Sequence, residues 1–354
     1  MNSVLQAFRE QILQANKESS PLRIQGSGSK QWYGKPVYGE VLDTRLYSGV
    51  IAYEPTELYI TVRAGTPLIE VEKVLQERGQ MLAFEPPHFG ENATVGGMLA
   101  AGFSGPRRAY GGAVRDFVLG ITMMNAQGEC LKFGGQVMKN VAGFDVSRLL
   151  VGSLGVLGLI LDITLKVMPR PQRETSLVFA MSEPDALRQL NRWAAQALPI
   201  TGSVFHAGRL VLRLSGSESA LRYARHRLGG IEFDLADAFW LQIREQQHHF
   251  FMAEEGLALL RLSMPSTAPS IPTRAKTLIE WGGAQRWVWT HESIDTIRER
   301  VKNVGGHVTQ FRYANHQQPV FEPMETALQK VHLRIKHAFD PNGIFNRGQL
   351  FSDC

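Results

Sequence analysis

Residues 23–30 read Arg-Ile-Gln-Gly-Ser-Gly-Ser-Lys, a run of small residues directly after a predicted strand at Leu22–Gln25. Glycine and serine let several main-chain N–H groups converge on one point, as in loops that bind phosphate, although an ordinary surface turn has a similar composition. The spacing excludes the two common nucleotide folds. A Rossmann fingerprint needs a third glycine where Gln31 stands, and a P-loop needs Ser or Thr directly after Lys30.

A second glycine-rich stretch follows at residues 85–102, which read Glu-Pro-Pro-His-Phe-Gly-Glu-Asn-Ala-Thr-Val-Gly-Gly-Met-Leu-Ala-Ala-Gly. Thr94 is placed to cap a short predicted helix at Gly97–Ala101. Gly96 and Gly97 lack a Cβ, so a flat or anionic ligand can approach the main chain there. A glycine-rich helix start packed closely against another element explains the same residues equally well.

The third stretch covers residues 139–160 and combines a turn, a predicted helix at Asp145–Val151 and a glycine-spaced loop at Gly152–Gly158. The loop leads into a predicted strand at Gly158–Val167. Core packing alone rarely requires glycine at this density, although a tight loop does. These two explanations also stay open when the stretch is considered alone.

The composition and pattern of the sequence change at Met168-Pro-Arg-Pro-Gln-Arg173, where two prolines and polar flanks indicate a domain boundary. Glycine-rich sequence precedes it, and a regular alternation of strands and helices follows it. That alternation predicts an antiparallel sheet with helices on one face, and therefore an α+β protein. We predict domains at residues 1–172 and 173–335, with a tail at 336–354 that returns towards the first domain.

The composition is that of a globular protein, with 44% hydrophobic and 20% charged residues. The net charge of +5 suits an anionic cofactor or an acidic membrane face, but no dense Lys/Arg block predicts nucleic-acid binding. The two cysteines, Cys130 and Cys354, fit a reducing cytoplasm and exclude an iron–sulfur cluster within the chain. The longest apolar stretches contain glycines, so we predict no transmembrane segment.

The histidines do not have the spacing of metal ligands. None of the ten forms a pair that would put two ligands on one helix face, and we expect His248 and His249 to point to different faces of a helix. A Gly-Asp-Gly-Asn loop flanked by His is also absent from the sequence. We therefore predict no metal site.

Taken in order, the three stretches resemble the FAD-binding domain shared by vanillyl-alcohol oxidase and p-cresol methylhydroxylase, up to about Val167. The resemblance implies a PCMH-type FAD-binding domain of two α+β subdomains, followed by a ferredoxin-like antiparallel sheet. The loop at residues 26–30 then corresponds to the family's pyrophosphate loop. Because that loop contains neither His nor Cys, we expect FAD to be bound non-covalently. The cofactor-binding residues implied are Gly26, Ser27, Gly28, Ser29, Lys30, Gly65, Thr66, Pro67, Pro86, Pro87, His88, Thr94, Gly96, Gly97, Met98, Ala101, Gly102, Gly143, Gly158, Ile160 and Asn346.

More narrowly, the sequence is similar to the family of small FAD-binding subunits of bacterial glycolate oxidases. The segments that carry this similarity are Glu85-Pro-Pro-His, Gly105-Pro-Arg-Arg, Val114-Arg-Asp-Phe-Val-Leu-Gly, Gly134-Gly-Gln-Val-Met-Lys-Asn-Val-Ala-Gly, Trp281-Gly-Gly-Ala-Gln-Arg-Trp and Asp340-Pro-Asn-Gly-Ile-Phe-Asn. The chain departs from the family at three positions. Phe144 replaces a usual tyrosine and so removes a hydroxyl contact. Arg347 and Gln349 stand where a proline and a basic residue are usual.

The resemblance implies a subunit of a membrane-associated complex that oxidises glycolate to glyoxylate. A larger FAD-linked subunit would carry the substrate site, and an iron–sulfur subunit would carry electrons onward. The chain would be cytoplasmic and would reach the inner face of the cell membrane through these partners. Two alternatives stay open: a non-catalytic scaffold, and a self-sufficient FAD oxidoreductase of a small hydroxy acid or alcohol. For the latter, Arg107, Arg108 and Arg286 are the candidates to contact a substrate carboxylate.

Overall fold

The structure is a computed structural model that describes residues 3–135, 145–252, 256–273, 275–312 and 320–350. The chain divides into two compact units. Unit 1 comprises Met1–Ser104, Ala113–Pro169 and Met324–Cys354, and unit 2 comprises Gly105–Gly112 and Arg170–Pro323. The main part of unit 2 begins at Arg170, which lies within the proline-rich boundary predicted at residues 168–173. The part that returns to unit 1 starts at Met324 and not at residue 336, and the short segment Gly105–Gly112 groups with unit 2.

The elements follow a mixed order of helices and strands. In the described ranges the helices are α1 (Ser3–Glu18), α2 (Leu68–Gln76), α3 (Val95–Ala101), α4 (Arg108–Gly111), α5 (Val114–Phe117), α6 (Val146–Leu149), α7 (Glu183–Ala194), α8 (Glu218–Leu228), α9 (Ala236–Arg244), α10 (Ile294–Lys302) and α11 (Thr326–Phe339). The strands there are β1 (Leu22–Gln25), β2 (Glu40–Asp43), β3 (Val50–Glu54), β4 (Tyr59–Arg63), β5 (Gln80–Met81), β6 (Val118–Met124), β7 (Cys130–Gly134), β8 (Leu159–Lys166), β9 (Met168–Pro169), β10 (Arg173–Ala180), β11 (Ile200–His206), β12 (Arg209–Gly216), β13 (Ile231–Glu232), β14 (Ala258–Ser263), β15 (Lys276–Glu280), β16 (Gln285–Thr290) and β17 (His307–Arg312).

Unit 1 contains a five-stranded antiparallel sheet in the order β3-β4-β8-β6-β7. The central strand β8 is buried at six of its eight positions because it contributes to two separate cores. Ile163 packs in the larger core with α2 and α3, and Leu161 packs in a smaller core with Phe8 and Ile12 of α1. The hairpin β6–β7, which the sequence predicts across Gln127-Gly128, is confirmed.

A second, smaller arrangement in unit 1 joins the two ends of the sequence. Strands β1 and β2 pair in parallel, and the C-terminal segment adds alongside β1 through a parallel bridge between Leu22 and Phe345. The Leu22 N–H donates to Ile344 O at 2.7 Å, and the Asn346 N–H donates back to Leu22 O at 3.0 Å. The predicted return of the C-terminal segment to this unit is therefore a main-chain interaction and not only a side-chain contact.

A buried ion pair fixes that C-terminal segment. Lys336 on α11 is 3% exposed and Asp340 is 1% exposed, and the Lys336 ammonium donates to the Asp340 carboxylate. The same ammonium donates to Val156 O at 2.7 Å and to Phe345 O at 3.2 Å. The Asp340 carboxylate also accepts the N–H groups of Ile344 and Phe345, each at 2.9 Å. All three ammonium protons are thus used, as burial of such a charge requires.

Unit 2 is an eight-stranded antiparallel sheet in the order β13-β10-β12-β11-β15-β16-β14-β17. Its first half, from β10 to β13, follows the β-α-β-β-α-β sequence with the strand order of a ferredoxin-like fold. The helices α7, α8 and α10 pack on the apolar clusters of the sheet, which confirms the predicted α+β class and antiparallel second domain. Helix α9 packs on the opposite face of the sheet from these helices. Its Trp240 donates to Ser176 Oγ at 2.9 Å, and on β10 the side chain of Ser176 points to the face opposite that of its neighbour Leu177.

The second sheet contains one fully buried carboxyl group. Glu280 at the end of β15 is 4% exposed and accepts hydrogen bonds from Trp287 Nε1 at 2.6 Å and Gln285 Nε2 at 3.1 Å. Burial raises the pKa of Glu280 from its usual value near 4.5 to about 7, and the two hydrogen bonds offset part of that effect. The carboxyl group therefore stays protonated in the folded unit until the pH approaches neutrality.

Replacing Lys336 by methionine is expected to lower the free energy of unfolding of the chain by about 3–5 kcal/mol, because Asp340 is left as a buried charge without its cation. Lys330→Met is the control, since Lys330 is exposed on the same helix. Urea unfolding followed by circular dichroism measures both variants. Equal midpoints for the two variants would show that the buried pair does not hold the C-terminal segment.

Glu280→Gln is expected to stabilise unit 2 at about pH 8 by on the order of 3 kcal/mol and to leave its stability near pH 4.5 unchanged. The pKa of Glu280 is raised in the fold. The stability that its protonated form contributes is therefore complete below the unfolded pKa and is lost as pH rises through the folded pKa. Tryptophan fluorescence, which reports on neighbouring Trp287, follows thermal unfolding. A difference between variant and wild type that does not change with pH would contradict this assignment.

Candidate functional site

A cavity of about 340 Å³ lies in unit 1 beside the loop that follows β1, and a smaller space of about 70 Å³ shares part of its lining. Of the predicted cofactor-binding residues, the larger cavity is lined by Gly26, Ser27, Gly28, Ser29, Lys30, Thr94, Gly97, Ala101 and Asn346. The smaller space is lined by Gly26, Gly96, Gly97, Gly158, Ile160 and Asn346. Residues from all three glycine-rich stretches and from the C-terminal segment thus meet at one place.

The loop after β1 forms one wall of the larger cavity. Gly28 has a φ of +76°, which favours glycine, and Gln31 N–H closes the turn by donating to Gly28 O at 3.1 Å. Among the described residues, the N–H groups of Ser27, Gly28 and Ser29 have no protein acceptor. Consecutive N–H groups of this kind form an anion-binding nest. The loop thus offers main-chain donors of the kind that a phosphate accepts, and its role as a pyrophosphate loop stays a prediction.

The charges around the larger cavity have one sign. Arg23, Lys30 and Lys35 line it, and the described lining residues include no Asp or Glu. The Lys30 ammonium donates to His88 O at 2.9 Å and to Ser29 Oγ at 3.2 Å, which fixes it beside the loop. Permanent positive charges and main-chain N–H groups in one cavity favour a ligand with phosphate groups.

The second wall is the start of α3. Thr94 caps the helix as predicted, and its Oγ1 accepts the N–H of Gly97 at 3.2 Å. A Cβ at Gly26 would clash with Thr94 Oγ1, and a Cβ at Gly96 would lie 2.8 Å from the Cβ of Ala64. These glycines therefore allow close packing between the loop and the helix, and the same absence of side chains opens the main chain to the cavity. Both interpretations of the sequence thus apply to the same residues.

Asn346 and the loop before β8 form the third wall. The Asn346 carboxamide accepts the Ile24 N–H at 2.8 Å and donates to Leu154 O at 2.7 Å. A Cβ at Gly155 would lie 2.8 Å from Asn346 Nδ2, so glycine is needed there for the side chain to fit. A single side chain from the C-terminal segment thus links the loop after β1 to the loop before β8.

The predicted residues Gly65, Thr66 and Pro67 lie behind these walls and line neither cavity. A Cβ at Gly65 would clash with Thr44 O, and Thr66 Oγ1 donates to Arg63 O at 2.7 Å. Pro67 forms a bridge with Thr94, and Val95 N–H donates to Thr66 O at 2.9 Å. The turn therefore supports the start of α3 from behind.

The remaining predicted residues lie elsewhere in unit 1 or outside the described ranges. Pro86, Pro87 and His88 are buried, and His88 Nε2 lies 3.1 Å from Glu72 Oε2. Met98 is buried in the core, and Gly102 ends α3 with a φ of +68°. Gly143 and the family departure at Phe144 lie outside the described residues. A contact between these residues and a flavin stays a prediction.

Several lining residues are not among the predicted ones. They are Arg23, Ile24, Gln25, Gln31, Lys35, Pro36, Val37, Tyr38, Thr44, Ala64, Ala100, Leu154, Gly155 and Gln349. Gly155 falls within the glycine spacing that the sequence shows, so the signal for it was present. Residues 35–38 follow the loop without a pattern of their own, and only the folded chain places them at the cavity.

The family departures at Arg347 and Gln349 do not separate the C-terminal segment from the rest of unit 1. The Arg347 guanidinium donates to Ser19 O at 3.2 Å and to Gly343 O at 2.8 Å. Gln349 lines the cavity, and its carboxamide accepts from Asn346 Nδ2 at 3.2 Å. Both residues therefore contribute contacts of their own.

The arginines considered for a substrate carboxylate have structural partners in unit 2. Arg107 pairs with Glu174, and the carbonyls of Ala268, Pro269 and Gly283 accept from Arg286. The guanidinium of Arg108 lies 4.5 Å from the centroid of the Trp281 ring. These contacts favour a structural role for all three arginines.

The expectation that His248 and His249 point to different faces of a helix is wrong. His248 precedes a short 3-10 helix at His249–Phe251, and the two ring centroids are only 4.0 Å apart. Helix α9 ends at Arg244, so the helical periodicity used for the prediction does not extend to these residues. Within the described ranges, no group of three His, Cys, Asp or Glu side chains is placed to hold a metal ion. No helix in those ranges is long and apolar enough to cross a membrane.

Known proteins resemble this chain in sequence and in fold. A model of the FAD binding domain family matches residues 6–134. The solved structure of an alkyldihydroxyacetonephosphate synthase superposes with a TM-score of 0.65 at 16% identity, covering 97% of this chain and 75% of that chain. At this identity the likeness concerns the fold alone, and it confirms the predicted PCMH-type architecture.

Two curated relatives carry the comparison further. The glycolate oxidase subunit GlcD of Bacillus subtilis (strain 168) is 29% identical over 185 residues, which are 51% of this chain and 39% of that protein. The glycolate oxidase subunit GlcE of Escherichia coli (strain K12) is 45% identical over 348 residues, which are 98% of this chain and 97% of that protein. Since the second match runs along almost the whole of both proteins, this chain belongs to the family of the glycolate oxidase subunit GlcE.

Proposed function

We propose that this chain is the FAD-binding subunit of a complex that oxidises glycolate to glyoxylate. The observation that carries the proposal is the match to subunit GlcE, which covers 98% of the chain and therefore includes both units. The cavity of unit 1 supports the FAD part of the proposal independently. Its permanent positive charges and N–H groups suit the pyrophosphate of a dinucleotide.

The residues present in unit 1 fit FAD. The N–H groups of Ser27, Gly28 and Ser29 would hold the pyrophosphate, and Lys30 and Arg23 would balance its charge. Asn346 would hold the loop after β1 and the loop before β8 in place through the hydrogen bonds of its carboxamide to both. When bound, FAD supplies the capacity to accept a hydride from the carbon of a hydroxy acid.

We infer that the cofactor is held without a covalent bond. The described lining residues of the two cavities include no His or Cys. His88 is buried beside Glu72, and Cys130 is exposed on β7 in the outer part of the sheet. The pyrophosphate loop offers only Ser and Lys side chains, so attachment through the residue types that relatives use has no support at this site.

The division of labour within the complex is also part of the proposal. The match to GlcD covers 51% of this chain, whereas the match to GlcE covers 98% of it. About half of this chain is therefore matched by GlcE and not by the longer GlcD. We propose that a larger FAD-linked subunit removes the hydride from glycolate and that an iron–sulfur subunit carries the electrons onward. The complex would lie at the cytoplasmic face of the cell membrane.

Gly26→Ala is expected to reduce FAD affinity at least about tenfold, because its Cβ displaces the Thr94 side chain that caps α3 and narrows the cavity. Gly216→Ala in unit 2 is the matched control, since its Cβ would make only ordinary contacts. Flavin absorbance after gel filtration measures retention, and circular dichroism shows that both variants are folded. A folded Gly26→Ala variant that keeps a full flavin spectrum would overturn the assignment of this wall.

The whole function is tested with the purified chain loaded with FAD. We expect acid precipitation to release all of the flavin into the supernatant.

We expect no dye reduction when glycolate is added to the chain alone. Activity should appear when the larger flavoprotein subunit and an electron-carrying subunit are added, because removal of a proton and hydride requires a positioned base. Rapid anaerobic bleaching of the flavin in the isolated chain would instead show a self-sufficient oxidoreductase. A chain without bound flavin would support a scaffold subunit.

A further inference from the structure

Unit 2 contains a second cavity of about 420 Å³, on the face of the sheet that α9 covers. Three imidazole rings gather at this cavity: the ring of His206 lies 5.8 Å from that of His248 and 5.3 Å from that of His249, centroid to centroid. His206 comes from β11, whereas the other two follow α9. The sequence gives no sign of this cluster, since 42 residues separate His206 from His248.

The hydrogen bonds of two of these rings define their protonation. His206 Nδ1 lies 2.8 Å from Thr277 O, which requires a proton on Nδ1 because a carbonyl only accepts. His248 Nδ1 accepts the N–H of Phe250 at 3.3 Å, which leaves the proton of the neutral ring on Nε2. Both rings are thus held by main-chain partners, and the cluster is part of the fold and not a chance meeting of surface side chains.

The charges at this cavity are positive or titratable. Arg209 from β12 lines it together with the three histidines, and the described lining residues include no Asp or Glu. Burial lowers the pKa of His206, with smaller contributions from the charges of His249 and of Lys276 on β15, and the hydrogen bond to Thr277 O offsets part of this effect. Burial, followed by the charges of His249 and His206, lowers the pKa of His248 to about 4.

The opposite wall of the cavity is apolar. Phe233 and Phe239 meet edge to face at 5.5 Å between centroids, and Phe239 contacts the His248 ring at 5.7 Å. Val204 and Val211 form the floor on the sheet. A cavity of this volume with one apolar wall and a few convergent polar groups is typical of a small-molecule site.

We propose that this cavity binds a small carboxylic acid that carries an aromatic or aliphatic body, with the carboxylate at Arg209 and the histidines and the body against Phe239. A bound carboxylate offsets the burial and the repulsion between rings that lower the pKa values of His206 and His248, so binding takes up a proton. Affinity therefore rises as the pH falls from neutrality towards the pKa values of the free cluster. This site lies wholly in unit 2 and does not depend on the FAD site of unit 1.

The experiment titrates benzoate into the FAD-loaded full chain by calorimetry at about pH 6 and pH 8, where benzoate stays ionised. We expect binding at least about tenfold tighter at the lower pH, which corresponds to an average uptake of about half a proton or more by the cluster between the two pH values. Benzamide, which lacks the charge, and acetate, which lacks the apolar body, should each bind at least about tenfold more weakly than benzoate at the lower pH.

His249→Gln and Arg209→Gln are the test variants because both residues are exposed and their replacement leaves the core intact. His226→Gln, an exposed histidine on α8, is the matched control. The proposal requires that the two test variants lose most of the benzoate affinity and its pH dependence while the control keeps both. It fails if wild type does not bind benzoate, if benzamide binds equally well, or if the test variants behave as the control does. The flavin spectrum monitors unit 1 throughout.

Discussion

The buried pair of Lys336 and Asp340 is the interaction on which the geometry of unit 1 depends. The lysine ammonium holds three oxygens at once: the Asp340 carboxylate, Val156 O in the loop before β8 and Phe345 O in the C-terminal segment. An ammonium in this setting is stable only while all of its partners are present, since a buried charge without them costs several kcal/mol. We therefore expect the segment from α11 to Asn346 to dock completely or not at all.

The position of Asn346 follows from the docking of this segment. With Phe345 fixed at the lysine, the next side chain is directed between the loop after β1 and the loop before β8, where its carboxamide bonds to both. The FAD site is thus assembled from sequence positions more than 300 residues apart, and its third wall exists only when the C-terminal segment is in place. A truncation there would change the site even though the pyrophosphate loop lies at the other end of the chain.

The parts of this architecture that local sequence predicts are those that local chemistry decides. Thr94 before a glycine-rich helix start and the alternation after residue 173 depend on capping and periodicity, and the structure confirms both. By contrast, Lys336 and Asp340 have the spacing of an ordinary exposed helix pair, and nothing in that spacing indicates burial. The prediction for His248 and His249 was wrong because it assumed a continuing helix, whereas α9 ends at Arg244. Neither the buried pair nor the histidine cluster has a local signature, because each arises from contacts between distant segments.

The cavity beside the loop after β1 in unit 1 and the histidine cavity of unit 2 differ in the origin of their positive potential, and this difference has a functional consequence. In unit 1 the potential comes from main-chain N–H groups and from the side chains of Arg23, Lys30 and Lys35. In unit 2 a large part of it depends on imidazoles that lose their charge when they are buried together. A cofactor that must stay bound is served by permanent charges, whereas a ligand that exchanges is served by groups that gain a proton as it binds. Occupancy of the unit 2 cavity is therefore expected to respond to pH through the protonation of its histidines.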